Sequence, residues 1–379
     1  MKHKALLFIF LFYLSAPVVQ AQETNIRERG VKIGVLDAGP LNSITDVEGV
    51  RVGHYTLIEG NEVRTGVTAL LPHGENLFQQ KVPAAIYIGN GFGKLAGYSQ
   101  VEELGNIETP IILTNTLSVP TASNALIDYI LKLKGNENVR SVNPVVGETN
   151  DGYLNDIRGR HITRAHVLEA IKTANTNKVK QGNVGAGTGT TAFGFKGGIG
   201  SSSRKLPESI GGYSVGVLVQ TNFGGVLEIA GVPIGKELNK YYLNDTLNDT
   251  PDGSCMIVLA TDAPLQARNL KRLAKRTMMG LAKTGGIASN SSGDYVIAFS
   301  TSQIVRYPYQ SIKSTQSVEL LRNEHMSPLF MAAIEATEEA IINSLFAAET
   351  MEGRNGHVIE SIPKQKVLQL LERYGRINK

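Results

Sequence analysis

The strongest constraint on the fold is an abrupt change of texture over residues 244–260. Asn244 to Gly253 reads NDTLNDTPDG, a density of Asn, Asp, Pro and Gly that favours turns over any regular element. Ser254 and the unbroken apolar run Cys255–Ala260 follow at once, the pattern of a strand covered on both faces. A chain cut at Gly253–Ser254 would start its second piece with a hydroxyl residue anchored by a buried strand. A free α-amino group titrates near about 7.7 to 8.0, so at neutral pH part of it can take the proton of its own side chain. One residue then supplies both nucleophile and base. Taken alone, the junction also reads as an ordinary loop-to-strand turn.

The first 21 residues, MKHKALLFIFLFYLSAPVVQA, have a basic start, an apolar core and a small-residue exit, the pattern of a secretory signal peptide cleaved before Gln22. The apolar core Ala5–Leu14 is too short for a bilayer of about 30 Å, and no later segment approaches the roughly 20 apolar residues of a membrane span. The expectation is export to the periplasm or beyond, with residues 22–379 as a single soluble domain. Of the formal charge of +4, Lys2 and Lys4 contribute two. The remainder gives no reason to expect nucleic acid or an anionic membrane as partner.

Cys255 is the only cysteine, so no internal disulfide can form. Strand alternation turns it away from the face of Ser254, which favours a buried, inert thiol. The seven histidines are scattered and form neither an HExxH helix nor a metal-ligand cluster, so no metal and no zinc hydrolase is expected. No GxSxG elbow suggests a serine triad.

Apolar runs at Ala84–Ile88, Ile111–Thr114 and Tyr295–Ser300 predict strands. Helical spacing predicts helices over Ser123–Leu133, Thr163–Ala174 and Ser327–Phe346. Another is expected to open at Asp262-Ala263-Pro264, with Asp262 as N-cap, and to end at Gly285-Gly286. Its Lys271, Arg272, Lys275 and Arg276 read as a solvated outer face. Strands and helices mixed without repeats indicate a layered α/β architecture.

Several loops carry chemistry-bearing residues. The Gly185–Thr190 loop lacks the strand-led context of a phosphate-binding loop, and the Gly89–Lys94 loop runs into Leu95 where Ser or Thr would stand and lacks Walker A spacing; both read as tight turns lining a cleft. Glu148 stands at a strand end, where its carboxylate could hold a substrate ammonium, cap a turn or pair with Arg158. Asn222 ends the apolar run Val215–Val219, where its amide could serve an oxyanion or a turn. Ser292 and Asp294 lie just before the Tyr295 strand, where they could orient a nucleophile and its amine or merely close a turn.

Taken in order, these blocks resemble the β-peptidyl aminopeptidase and L-aminopeptidase/D-amidase-esterase family of self-processing serine hydrolases. The resemblance is carried by Asn42–Val47 with Val50–His54, Gly89–Lys94, Thr114–Thr116, Gly147–Thr149 with Leu154–Asp156, and Gly182–Gly185 with Gly194–Gly200. It continues through Thr221-Asn222, Asp252-Gly253-Ser254, Ala260–Leu265 and Ser292–Asp294. It implies an α-β-β-α sandwich like that of N-terminal-nucleophile hydrolases, with distinct strand connectivity. It further implies self-cleavage into an α chain 22–253 and a β chain 254–379, assembly as a homotetramer, and no cofactor. By position, Ser254 matches the nucleophile, Ser292 and Asp294 its partners, Asn222 the oxyanion donor, and Glu148 the acid that meets a free amine. The substrates implied are short peptides, amides or esters of α-L, D or β-amino acids. Asn150 departs from an expected Tyr, and Asp294 from the Glu of some members. A non-catalytic small-molecule binder on the same scaffold, or an aminoacyl transferase, are the competing readings.

Overall fold

The computed structural model describes residues 25–244 and 253–377, so the expected signal peptide and most of the turn-rich loop before Gly253 lie outside the described residues. Two β-sheets are built from nine main strands: β1 Arg51–Glu59, β2 Val63–Leu71, β3 Gln80–Gly91, β4 Ile111–Asn115, β5 Val145–Thr149, β6 Ile199–Lys205, β7 Ser214–Asn222, β8 Gly253–Thr261 and β9 Ser292–Ser300. The smaller sheet has the order β1-β2-β4-β5 and the larger one β3-β9-β8-β7-β6, with the short pieces Asn106–Ile107 and Tyr307–Pro308 added on β3. Only β4/β5 and β8/β9 pair in parallel.

Four helices cover the outer faces: α1 Val119–Leu131, α2 Arg164–Lys172, α3 Ala267–Lys283 and α4 Ser327–Ala347. The burial pattern follows strand alternation. Val67, Ala69, Ile112 and Val146 pack against Ala122, Leu126 and Val167 of α1 and α2. Leu70, Ile111 and Leu113 meet Leu218, Met256, Val258 and Ile297 between the sheets. Cys255, Ile257 and Leu259 turn to Leu270, Leu273, Leu329 and Ala332 of α3 and α4. The layers therefore run helix, sheet, sheet, helix, as the family resemblance implies.

β8 is buried along its whole length and sits centrally, which explains why its sequence alternates in no visible way. Paired with β9, it is inserted between β7 and β3. A buried ionic cluster ties the edge strand β6 to α4. Arg204, wholly buried, reaches Glu335 at 3.1 Å and Glu339 at 2.7 Å, and Arg27 adds a 2.8 Å contact to Glu339.

Three boundaries differ from the sequence reading. β8 and β9 begin at Gly253 and Ser292, because parallel pairing of Gly253 with Ser292 draws both leading segments into the sheet. The helix expected to open at Asp262 starts at Ala267, with Gln266 as N-cap. Asp262 instead accepts the Ser214 amide at 2.8 Å, while Ala263 and Leu265 are buried and turn the chain; tertiary contact overrides the local N-cap signal. The basic residues of α3 are not simply solvated. Arg276 and Arg272 lie 4.1 and 5.2 Å from the Phe330 ring centre, and Lys271 pairs with Glu102. Among the described residues, no helix is long and apolar enough to cross a membrane.

Candidate active site

The site forms where the ends of β7, β8 and β9 meet the end of β5. Ser254 is the second residue of β8, and its antiparallel partner across the ladder is Asn222. Directly opposed residues project to the same side of a sheet, so both side chains share the face that looks toward the smaller sheet. Ser254 Oγ is buried and has no hydrogen-bond partner among the described residues. An unpartnered buried hydroxyl costs free energy, which marks it as a group held ready for something else.

Asn222 is fixed in one orientation: its Oδ1 accepts the Thr191 amide at 3.1 Å. With the oxygen occupied, the amide NH₂ is the end left to donate. Two residues earlier, Gln220 donates to the Thr114 carbonyl, the Thr149 hydroxyl and the Ala186 carbonyl at 3.1, 2.8 and 2.9 Å. This side chain bolts the larger sheet to the smaller one beside Glu148.

Ser292 and Asp294 lie together, with the Ser292 hydroxyl donating to Asp294 Oδ1 at 2.9 Å. They bond to each other and not to Ser254 Oγ. By alternation they lie on the Cys255 face, and Ser292 Oγ sits 3.3 Å from where a Cβ on Gly253 would stand. The pair thus flanks the Gly253–Ser254 linkage. Burial pushes the Asp294 carboxyl up to about 6, opposed by the Ser292 hydroxyl and the Cys255 amide. Burial likewise raises the Cys255 thiol well above its ordinary value, helped by Asp294, which makes that thiol unreactive.

Glu148 is 5% exposed. Its carboxylate accepts the Lys94 amide at 3.0 Å and the Thr116 hydroxyl. A Cβ on Gly93, in the Gly89–Lys94 loop, would stand 3.0 Å from Glu148 Oε1 and 3.1 Å from the Tyr295 ring, so any larger residue there would press on both side chains. The same loop holds the start of β9: Asn90 Nδ2 donates to the Ser292 carbonyl at 2.8 Å. A cleft of about 420 Å³ opens beside Asn222, lined in part by Asn150, Tyr153, Phe193, Lys240 and Tyr242. Asn150 therefore faces the same space as Asn222.

The Gly185–Thr190 turn is the tight loop expected from its sequence, and its polarity is opposite to a phosphate cradle. Its amides are taken by Thr56, Thr68, Val184 and Gly185, while the Gly187 and Thr190 carbonyls converge on the ammonium of Lys196. Burial pulls Lys196 down to about 7 against the field of Asp151. Burial also pushes Asp151 up to about 7.

Sequence reasoning missed Lys94, Thr116, Thr191 and Lys196. Lys94 and Thr116 appear in blocks that carry the resemblance, but nothing local signals that they meet Glu148. Among the described residues no group of His, Cys, Asp and Glu has the arrangement of a metal site.

The model of peptidase family S58 matches residues 42–359. The beta-peptidyl aminopeptidase BapA of Sphingosinicella microcystinivorans is 40% identical over 390 residues, 96% of either chain. The crystal structure of the PH0078 protein from Pyrococcus horikoshii OT3 matches with a TM-score of 0.86 and 51% identity, covering 93% of this chain and 100% of that one. The L-aminopeptidase D-Ala-esterase/amidase of Ochrobactrum anthropi, described as a prototype serine aminopeptidase and a variant of the Ntn hydrolase fold, matches with a TM-score of 0.86 and 36% identity over 93% and 99% of the two chains. The layered α/β sandwich is thus that of the Ntn-type aminopeptidases, and the chain is a hydrolase that belongs to peptidase family S58.

Proposed function

We propose that this protein is an exported aminopeptidase that matures by cutting itself at Gly253–Ser254 and then releases N-terminal residues from short peptides, amides or esters. The observation that carries the reading is the unpartnered, buried Ser254 Oγ directly across the ladder from the oriented Asn222 amide.

In the mature enzyme the freed amine of Ser254 takes the hydroxyl proton as Oγ bonds to the substrate carbonyl carbon. Asn222 donates to the oxyanion. The proton passes to the leaving amine or alcohol as the scissile bond breaks, which leaves an acyl-enzyme that water hydrolyses with the same amine as base. Ser292, backed by Asp294, lies beside the position of that amine and holds it through its hydroxyl. Glu148 binds the substrate's own free ammonium, and the cleft past Asn222, with Asn150 on its wall, receives the rest of the substrate. The cut pieces stay together as αβ units that assemble into a homotetramer, and residues 1–21 direct export to the periplasm or beyond.

Replacing Ser254 by Ala tests the reading. The parent should run on a denaturing gel as pieces of about 25 and about 14 kDa, sizes that follow from lengths of 22–253 and 254–379. The variant should remain one uncut chain without activity. Spontaneous maturation of Ser254→Ala, free of contaminating protease, would refute the mechanism.

A further inference from the structure

Lys196 is among the buried charges that take no part in the proposed reaction. Lys196 is 0% exposed, and its Nζ donates to the carbonyls of Gly187, Thr190 and Gly197 at 3.0, 2.8 and 2.8 Å. Three bonds use every donor an ammonium has. Burying such a charge costs several kcal/mol even after relaxation, and a turn of Gly and Thr does not need a cation to close.

What sets this lysine apart lies on the far side of one carbonyl. The Thr190 carbonyl and the Thr191 N–H are two ends of a single peptide group, and that N–H donates to Asn222 Oδ1. A continuous chain therefore runs from Lys196 Nζ through the Thr190–Thr191 peptide to the Asn222 amide and out at its NH₂. Every donor points the same way, so each bond polarises the next in the same sense. The short ladder pairing Thr191 with Lys196 and Ala192 with Phe195 keeps the two ends of the chain in register. Asp151 is the acidic group whose field favours the charged ammonium, and it is held by Asn155 at 2.9 Å.

We propose that Lys196 is a positioning residue for hydrolysis: through the Thr190–Thr191 peptide it locks the Asn222 amide with its NH₂ toward Ser254 and adds positive potential where the oxyanion develops. The proposal rests on the Ser254 and Asn222 assignments above. It makes Lys196 matter to the transition state and not to the binding of the ground state.

The test is a double-mutant cycle of Lys196→Met and Asn222→Ala in the full-length protein, with rates normalised to the processed fraction seen on a denaturing gel. Asn222→Ala should lower kcat by roughly 10²- to 10³-fold. Lys196→Met should lower it by roughly 10- to 100-fold, the usual cost of losing an outer partner that orients a reacting group, with KM unchanged. In the Asn222→Ala background the lysine change should cost almost nothing more. Fully additive losses, or a loss carried by KM, would show a lysine that only holds the turn and would overturn the inference while leaving the Ser254 mechanism intact. A parental kcat in Asn222→Ala would remove the oxyanion assignment itself, and the inference with it. If Lys196→Met does not fold, Thr191→Pro breaks the same chain by removing the N–H that Asn222 accepts, together with the threonine side chain and the freedom of φ. It should lower kcat by roughly 10- to 100-fold, as expected for Lys196→Met; a parental kcat in that variant overturns the inference.

Discussion

Replacing Glu148 by Gln isolates the charge of the proposed amine-binding site. The side chain is 5% exposed and already accepts the Lys94 amide and the Thr116 hydroxyl. Gln keeps the size and one oxygen, which can still face the Lys94 amide. Its nitrogen then meets Thr116, whose hydroxyl rotates from donor to acceptor, so the local fold is retained and only the charge is lost. A hydrogen bond between a charged pair is worth about 1.5 to 3 kcal/mol, so kcat/KM for a substrate with a free amine should fall by roughly 10- to 150-fold. The assay is release of p-nitroaniline from amino-acid p-nitroanilides, each paired with its N-acetylated counterpart. The rates are referred to processed enzyme, because incomplete self-cleavage would imitate a binding defect. N-acetylated substrates should be poor for the parent and lose little more in the variant. If the processed Gln variant discriminates between the two series as the parent does, Glu148 is structural and the amine is anchored elsewhere.

Two further outcomes follow from buried charges. Asp294 must be ionised to support Ser292, so kcat/KM, already falling as the Ser254 amine takes up a proton, should fall more steeply below about 6, and Asp294→Asn should remove that steeper part along with most activity. The same raised value means the folded state holds this proton more tightly than the unfolded chain, so the ionised carboxyl weakens the fold above about 6. Denaturant titrations should find Asn at 294 stabilising at pH 7 and less so near pH 4; equal stability differences at both values would contradict the burial argument. Arg204→Met should cost about 3 to 5 kcal/mol in urea unfolding, because it leaves two buried carboxylates, Glu335 and Glu339, with Arg27 as the one remaining cation of the cluster. Adding Glu335→Gln and Glu339→Leu should recover much of the loss, and a cost under about 1 kcal/mol for Arg204→Met alone would show that the cluster contributes little.

The parts of the fold that were legible are those whose local pattern coincides with their tertiary role. Cys255–Ala260 reads as a doubly covered strand because it is one, and α4 is found within a residue at its C-terminal end. Asp262 misled because an Asp two residues before Pro looks like a helix start, while its actual partner, Ser214, lies 48 residues away. The candidate site is legible in the sequence only as separate residues, with Ser254 at a loop-to-strand junction, Asn222 at one strand end and Glu148 at another. Its supporting groups were hidden because their partners come from other strands: Thr116 and Lys94 reach Glu148 across 32 and 54 residues. Lys196 was passed over for a different reason. Lysine is so seldom fully buried that a lone one between Phe195 and Gly197 reads as surface, and only the convergence of three carbonyls reveals otherwise.

The central place of β8 in the larger sheet has a consequence for how such a protein denatures. A cut before Ser254 leaves β8 and β9 in one polypeptide and their neighbours β7 and β3 in the other. Neither product can complete the larger sheet alone. The two pieces then separate only by unfolding, and recovering the native state becomes a second-order encounter between fragments. The uncut precursor folds as one molecule at a rate independent of concentration, whereas the mature form, once melted in dilute solution, meets its missing strands too rarely to return. Maturation in this architecture would thus exchange reversible folding for a native state maintained chiefly by slow unfolding.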